Sequence, residues 1–396
     1  IKSRFETSLS IGCDEISKLQ LEQRSRYPPF ESHRFNPSEL PIATLRKTLS
    51  KAPREQLMET ISQMSPSFRL GNEDSWLLEQ RYLIDGKEID DSEFERSKHD
   101  IEQSSPPRVV SKQRNGWYLT PNPIHSAVRR FISKAVVILL LALGYLFIEP
   151  ILSSFGIPGI GTGTIRIGLL DYPLLAVIIV PLLFAPLALR VGANFADLVH
   201  QRNFLRSAPS DPIITLLQSP TAGKALHIDV QFPERREDWG DIMLTWRVGA
   251  LPPAREVVFQ SLGAEISKQP PPGLTTELPH HWEIGLDDGT GGGEEAPMEH
   301  QEVRGGLFLR PMRSMEFGGQ SPIKDGEIVL EPPQLSWPGT VSSELIRIHW
   351  ELILRIEREK GGPLLWVQPL EVGHPLESAV IDSIPTNDGR TESDTF

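Results

Sequence analysis

Cysteine is almost absent from this chain: Cys13 is the single cysteine among 396 residues. A single cysteine cannot form an intramolecular disulfide. It is also too few for the structural zinc sites that are built from clustered cysteines and histidines. A lone thiol also fits soluble parts that lie in a reducing cytoplasm. A long basic run is missing as well, and the formal net charge is −12. We therefore expect no nucleic-acid partner.

The start of the chain lacks the apolar core of a signal peptide, since residues 1–7 read Ile-Lys-Ser-Arg-Phe-Glu-Thr. The chain begins with Ile1 instead of Met, so we expect a fragment or a processed product. Catalytic motifs are missing too: the sequence holds no Gly-x-Ser-x-Gly, P-loop or His-Glu-x-x-His pattern. We therefore expect no cofactor.

Charge is absent from two apolar runs, residues 135–148 and 172–189. The second reaches the length of about 18 residues at which a helix spans a bilayer. The first reaches about 20 residues if it extends from Phe131 to about Leu152, with charged side chains at its two interfaces. The runs predict a transmembrane helical hairpin over 131–190. The alternative is a core hairpin in a soluble protein, although two adjacent runs would overload a core of this size.

Basic residues flank the two runs on their outer sides. They are Arg129, Arg130 and Lys134 before the first run and Arg190, Arg202 and Arg206 after the second. The connection over residues 151–165 carries no charge. The positive-inside rule therefore predicts two spans in the cell membrane, both termini in the cytoplasm, and residues 153–164 outside. Pro181 and Pro186 predict a kinked second helix.

The polar segment 1–70 is predicted to be partly helical. Residues 41–49 and 53–64 each begin with a proline, which suits the first helical position. In the second of these segments, Leu57, Ile61 and Met64 form a stripe at helical spacing.

Residues 71–105 are predicted to fold as a helical hairpin. Leu78 and Tyr82 lie at helical spacing, and Asp85 and Gly86 supply a tight turn before a capping box at Ser92. The segment from 74 to about 102 resembles a SHOCT domain, a short helical hairpin found near the termini of many prokaryotic membrane proteins. The residues that match the family pattern are Leu78, Gly86, Ile89, Glu93, Phe94 and Lys98.

The resemblance implies oligomerisation or partner docking instead of catalysis. The residues expected to form the contact face are Leu78, Tyr82, Phe94 and Ile101. An ordinary amphipathic helical hairpin is the alternative.

Two segments beside the apolar runs are expected to connect them to the rest of the chain. Residues 106–130 form a basic linker in which Trp117 and Tyr118 suit anchoring at a membrane interface, or an exposed aromatic turn without a special role. Residues 191–210 form a juxtamembrane segment whose first part can extend the second helix.

The segment 211–376 has β character and predicts a sandwich of short strands. Its clearest strand is 345–357, in which every even position from Ile346 to Ile356 is apolar, so one face is expected to be buried. A Gly-Gly turn then predicts a hairpin with residues 363–372. Further strands are predicted at 225–232, 242–248, 256–260, 281–284, 306–310 and 327–330. The acidic tail, residues 377–396, is expected to be disordered.

Residues 330–336, 346–354 and 366–372 resemble part of an arrestin-like β-sandwich. In that family a Leu-Pro-Pro-Ser turn leads into a long strand, and a returning strand follows. An unrelated Ig-like sandwich is the alternative.

The acidic and histidine-rich part of this segment contains side chains of the types that bind metal ions. His280, His281 and Glu283, with His300 downstream, have ligand-type side chains, but adjacent histidines in a strand point to opposite faces. Residues 287–295 are rich in oxygen donors yet lack the spacing of the familiar calcium loop, so a flexible insertion is expected.

The sequence therefore predicts an α+β membrane protein with a helical N-terminal region, a two-helix transmembrane hairpin and a C-terminal all-β sandwich. We expect a non-enzymatic interaction or scaffold protein held in the lipid bilayer. Its partner would be a second copy or another membrane or cytoplasmic protein. The alternatives are a membrane-bound metal-dependent enzyme around His281, Glu283 and His300, and a subunit of an oligomeric channel or transporter.

Overall fold

The computed structural model describes residues 16–29, 32–89, 114–120, 124–156, 163–253, 255–265, 309, 311–359 and 362–389. Within these ranges β-sheets combine with a few helices, as the α+β prediction requires. The α-helices are α1 (Arg54–Ser62), α2 (Ile124–Ser154), α3 (Leu174–Arg206) and α4 (Arg255–Ser261). The strands are β1 (Ile16–Arg26), β2 (Ala43–Pro53), β3 (Phe68–Gly71), β4 (Leu77–Ile84), β5 (Lys87–Glu88), β6 (Gly116–Leu119), β7 (Thr164–Ile167), β8 (Leu170–Pro173), β9 (Ile213–Leu216), β10 (Leu226–Gln231), β11 (Trp239–Leu251), β12 (Ser314–Pro322), β13 (Ile328–Leu330), β14 (Val341–Ser342), β15 (Arg347–Arg358), β16 (Leu364–Leu370) and β17 (Ala379–Ile381).

Two compact units divide the chain. The first unit combines Ile1–Leu119 with Ser210–Phe396, and the second unit is Thr120–Pro209. The sequence predicts separate domains before and after the apolar runs, whereas in the structure these segments share sheets. β6 pairs with β16, and β17 pairs with β3. Pairing between segments so far apart in the chain leaves no local signal in the sequence.

The N-terminal sheet of the first unit has the strand order β17–β3–β4–β1–β2, with β5 paired to β4. The pair β17–β3 is parallel, and the others are antiparallel. The helix predicted at 53–64 is confirmed as α1. Its Leu57 and Ile61 join a buried apolar cluster formed with the sheet and the segment after it, together with Leu19, Tyr82, Ile84 and Ile89.

Two predicted helices in this region are strands instead. Residues 41–49 lie mostly in β2, which pairs with β1, and the first arm of the predicted helical hairpin lies in β4, between β1 and β3. The spacing of Leu78 and Tyr82 is uninformative because positions i and i+4 share a face in a strand as well as in a helix. The predicted turn is confirmed, since Asp85 and Gly86 both have positive φ (51° and 80°), as a two-residue β-hairpin turn requires.

The central sheet has the order β12–β11–β15–β16–β6, with β14 paired to β15, and a small sheet has the order β13–β10–β9. Five predicted strands are confirmed: β10, β11, β13, β15 and β16, and β16 is the antiparallel hairpin partner of β15. The strand predicted at 256–260 is the helix α4, because so short an apolar run does not separate the two periodicities. Predicted strand 281–284 lies outside the described residues, as does 306–310 except for Leu309.

The long strand β15 buries both of its faces, not one as predicted. Trp350 and Leu352 are buried on one face, and His349 and Glu351 are buried on the other. The strand lies inside the central sheet, between β11 and β16. The alternation of residue types along β15 therefore places apolar side chains on one buried face and the His349 and Glu351 side chains on the other.

Two segments that the sequence predicted to be irregular contribute strands. The linker 106–130 contains β6, in which Tyr118 is buried, so its aromatic residues do not form an exposed turn. The tail 377–396 contains β17, and farther along the N–H of Asn387 donates to the Arg313 carbonyl at 2.6 Å. The described parts of both segments have strand or hydrogen-bond partners that lie far away in the sequence.

Candidate membrane anchor and buried ion cluster

Two helices of the second unit are long and apolar enough to cross a membrane, over Arg130–Ser154 in α2 and Ile179–Arg206 in α3. Their apolar side chains point outward instead of into a protein core. Those more than half exposed include Val137, Leu140, Leu141, Phe147, Ile148, Ile151, Phe184, Leu187, Leu189 and Val191. A helix in a soluble core buries its apolar side chains, so the core-hairpin alternative does not fit this exposure.

One polar contact sets the register between α2 and α3, which pack against each other in antiparallel fashion. The Nε2 atom of His125 lies 2.8 Å from Oδ2 of Asp197. Because both helices rise about 1.5 Å per residue, equal steps from this contact bring residues 131–148 alongside residues 174–191. The two apolar runs therefore lie at one level over about 27 Å, close to the roughly 30 Å of a bilayer's hydrocarbon core.

Burial along the two helices agrees with this register. Val128 and Ala135, about two turns apart, are buried in α2, and Pro186 and Ala193 are buried with the same spacing in α3. Equal steps from the His125 contact bring Val128 to within one residue of the level of Ala193, and Ala135 to within one residue of the level of Pro186. Small side chains at a helix–helix contact allow close approach of the two backbones.

The predicted membrane-flanking residues lie toward one end of this helix pair. Arg130 and Lys134 are exposed near the start of α2, and Arg190 is exposed in α3 at the corresponding level. The side chain of Arg129 lies outside the described part of the chain. The helix α3 continues past Arg190 to Arg206, which confirms that the juxtamembrane segment extends the second helix.

A buried ion cluster lies on the polar face of β15 in the first unit. Glu351 is fully buried and pairs with Arg247 of β11 in the sheet register. Its Oε1 accepts hydrogen bonds from Nε and Nη2 of Arg247 at 2.7 and 2.6 Å. Arg114 donates from Nε to Oε2 at 2.8 Å and from Nη2 to Oε1 at 2.9 Å. The ring of His349 completes the cluster, with Nε2 lying 3.0 Å from Oε2.

The ionisation states of Glu351 and His349 depend on their burial and on the other side chains of the cluster. Burial alone would raise the pKa of Glu351, but Arg114, Arg247 and their hydrogen bonds hold that pKa well below its usual range. Burial lowers the pKa of His349 by more than its contact with Glu351 raises it, so the ring is neutral near neutral pH. Because a carboxylate only accepts, Nε2 of His349 carries the proton. The cluster is thus an ionised carboxylate saturated with donors.

Sequence reasoning missed this cluster. The signal was the alternation of charged with apolar residues in the strand around Glu351, which indicated a solvated face. The register of β11 against β15 brings Arg247 to Glu351, and the approach of Arg114 just before β6 completes the set. Neither relation can be deduced from spacing along the chain.

The described residues of the predicted contact face, Leu78 and Tyr82, are buried and cannot contact a partner. Leu78 and Tyr82 are 2% and 3% exposed, and both lie in β4, an internal strand of the N-terminal sheet. The Tyr82 side chain packs in the α1 cluster, and its hydroxyl donates to the Ser65 carbonyl at 2.9 Å. Phe94 and Ile101 lie outside the described residues.

The metal alternative has no counterpart in the part of the chain that the structure describes. No group of three or more His, Cys, Asp or Glu side chains is placed there to hold a metal ion. The predicted candidates His280, His281, Glu283 and His300, and the acidic segment 287–295, lie outside it.

No protein-family model matches this chain, and no curated protein matches it. The features that bear on function are the exposed helix pair, the sheet edges and the buried ion cluster.

Proposed function

We propose that this protein is a membrane-anchored, non-enzymatic interaction or scaffold protein, with α2 and α3 as its two-span anchor. The observation that carries the proposal is the exposure of apolar side chains along both helices at one common level. Exposing a large apolar side chain to water costs about 1.5–3 kcal/mol. A bilayer removes that cost for the whole helix pair.

The basic residues support an orientation in the cell membrane. Arg130, Lys134 and Arg190 lie toward the end of the helix pair at which the chain arrives from β6 and leaves toward β9. By the positive-inside rule this end is cytoplasmic. Both termini and the first unit are then in the cytoplasm, and the connection between α2 and α3 is outside.

The hydrogen bonds of the buried ion cluster support a structural role for Glu351, its fully buried carboxylate. A general base needs a free lone pair within reach of the proton that it removes. Both oxygens of Glu351 already accept hydrogen bonds from Arg114, Arg247 and His349. Glu351 is therefore a structural charge, without a lone pair free to act as a general base.

The edge strand β2 supports docking of a partner. Among the described strands β2 pairs only with β1, and it forms one edge of the N-terminal sheet. Lys47, Thr48 and Lys51 are exposed along it. A partner strand can extend a sheet at such an edge through main-chain hydrogen bonds. The two lysines oppose pairing with a second β2 and favour an acidic partner strand.

The anchor is tested by cysteine accessibility in intact cells on a Cys13→Ser background. We expect a membrane-impermeant maleimide to label Thr164→Cys in β7 from outside, and to label Lys324→Cys in the first unit only after permeabilisation. The opposite pattern would show the inverted orientation. Labelling of both sites in intact cells, or release of the protein by alkaline carbonate, would contradict a two-span anchor.

The docking edge is tested by photo-crosslinking in native membranes. A photoreactive side chain at position 48 of β2 should give a discrete crosslinked product, and one at Lys324, in an exposed turn, should not. The double variant Lys47→Glu/Lys51→Glu should weaken the product if the partner is acidic. A product formed only between two copies of the chain would contradict an acidic partner, and no product would contradict docking at β2.

A further inference from the structure

The hairpin β7–β8, which joins α2 to α3, has one face formed by three aliphatic side chains and one tyrosine. Its register pairs Ile165 with Tyr172 and Ile167 with Leu170. Directly paired residues, and residues two apart in a strand, point to the same side of a sheet. The four side chains therefore share one face, and they are exposed by 40%, 40%, 53% and 61% in that order.

The other face of the hairpin is polar. Arg166 pairs there with Asp171, and Thr164 lies two residues away on the same side. Gly168 makes the turn with φ +66°, and Leu169 at the tip is 91% exposed. The hairpin is thus amphipathic in the way that an interfacial helix is, with an apolar side and tip and a charged side.

The position of the hairpin in the second unit links it to the proposed anchor. β8 leads directly into α3, and the N–H of Leu174 donates to the Gly163 carbonyl at 2.8 Å. The helix register sets Leu174 beside the last residue of the apolar run in α2. The apolar face of the hairpin therefore begins where the apolar surface of the helix pair ends.

We propose that the β7–β8 hairpin lies in the outer interface of the bilayer, with its apolar face and Leu169 against lipid acyl chains. Arg166 and Asp171 then face headgroups and water. The inference rests on the proposed anchor, whose exposed apolar surface the hairpin continues. An isolated two-stranded hairpin is marginal in water, and a tyrosine such as Tyr172 suits the level of the headgroups.

The test uses the full chain in phosphatidylcholine–phosphatidylglycerol vesicles, with single cysteines on the Cys13→Ser background carrying an environment-sensitive fluorophore. Leu169→Cys probes the apolar tip, and Arg166→Cys is the matched control on the polar face of the same hairpin. Leu141→Cys, in the middle of the apolar run of α2, reports on the anchor itself. Each site is read by its emission maximum, by aqueous iodide quenching and by lipids spin-labelled at shallow or deep positions.

We expect a blue-shifted emission at Leu169, loss of iodide quenching, and stronger quenching by shallow than by deep spin labels, with Arg166 quenched by iodide. Iodide quenching at Leu169 equal to that at Arg166 would overturn the inference. Protection of Leu169 from both iodide and lipid quenchers would also overturn it, because a protein surface would then cover the tip. Failure of deep spin labels to quench Leu141 would instead overturn the anchor, so the two failures are distinguishable.

Discussion

At the scale of single residues, Glu351 is the most constrained charge in the described chain. Three side chains donate to it: Arg114 just before β6, Arg247 from β11 and His349 from its own strand. A buried ion pair adds little stability compared with a well-packed apolar replacement, but removing one partner leaves an uncompensated charge in a medium of low polarity. We therefore expect the cluster to specify the arrangement of these strands more than it strengthens the fold.

Glu351→Gln should destabilise the first unit strongly. It leaves the guanidinium groups of Arg114 and Arg247 without a counter-charge, which costs about 3–5 kcal/mol and should lower the thermal midpoint by roughly 10 °C. The measurement is thermal unfolding of the full chain in detergent, followed by circular dichroism. Glu357→Gln is the matched control, because its exposed pair with Arg355 on the same strand (2.9 Å) is worth at most about 1 kcal/mol. Equal shifts for the two variants would contradict the argument.

His349 should make stability depend on pH in a defined window. Its pKa is lowered in the folded state from an ordinary value of 6.5, so the unfolded chain takes up a proton first as the pH falls. The stability contribution is present above about pH 6.5 and decreases below it. Glu351 contributes a similar loss only below its ordinary value of 4.5.

We therefore expect the thermal midpoint of the wild type to fall between pH 7 and pH 5. His349→Gln, which keeps a donor toward Glu351 but does not titrate, should show a smaller fall over the same range. Parallel curves for the two proteins would assign the pH dependence to other groups.

At the scale of elements, some described strands depend on partners far away in the sequence, as β6 does on β16 and β17 does on β3. The edge strand β17 pairs in parallel with β3 and buries Ala379 and Ile381, and Ile384 is buried just beyond it. A strand with so few residues does not persist alone. Its stability comes from the sheet that it completes.

Truncation of the chain before Glu377 should destabilise the N-terminal sheet. It removes β17 and the burial of Ile381 and Ile384, which is worth about 1.5–3 kcal/mol for each side chain. The expected result is a lower thermal midpoint and faster proteolysis near β3. Truncation after Gly389 is the control, since it keeps β17 and the hydrogen bond from Asn387 to Arg313. An unchanged thermal midpoint after truncation before Glu377 would show that β17 does not stabilise the N-terminal sheet.

At the scale of the whole molecule, the helix pair is inserted into the sequence of another folded unit. The first unit is formed from chain on both sides of Thr120–Pro209. The N-terminal sheet is complete only with β17, and β6 joins a sheet whose other strands come after the helices. During synthesis, the first unit therefore cannot be completed until the second has been made.

Replacing residues 120–209 by a flexible Gly/Ser linker should release the first unit from the membrane in folded form. Every strand pair of its three sheets has both partners in the first unit. We expect the product in the soluble fraction, with the near-ultraviolet circular dichroism of the buried pair Trp246–Trp350, whose rings lie 5.0 Å apart. Membrane association that persists after carbonate would place an anchor in the first unit, and loss of the tryptophan signal would show that the unit needs the helices to fold.

Features that depend on neighbouring residues can be predicted from the sequence alone. Uninterrupted apolar runs predicted α2 and α3, helical periodicity predicted α1, and the alternation around Trp350 predicted β15 with its partner β16. The same local chemistry predicted the turn at Asp85 and Gly86. These elements are specified locally because charge, turn residues and side-chain period act over one element at a time.

Features that depend on the pairing of distant strands appear only in the folded chain. Tertiary structure made strands of residues that also fit a helix, as in β2 and β4, and it buried Leu78 and Tyr82 where the sequence predicted a contact face. It also turned the charged positions of β15 into an ionic interior by bringing Arg114 and Arg247 to Glu351. The physical reason is that a strand satisfies its backbone and buries its faces against segments elsewhere in the chain, whereas a helix satisfies its backbone within itself.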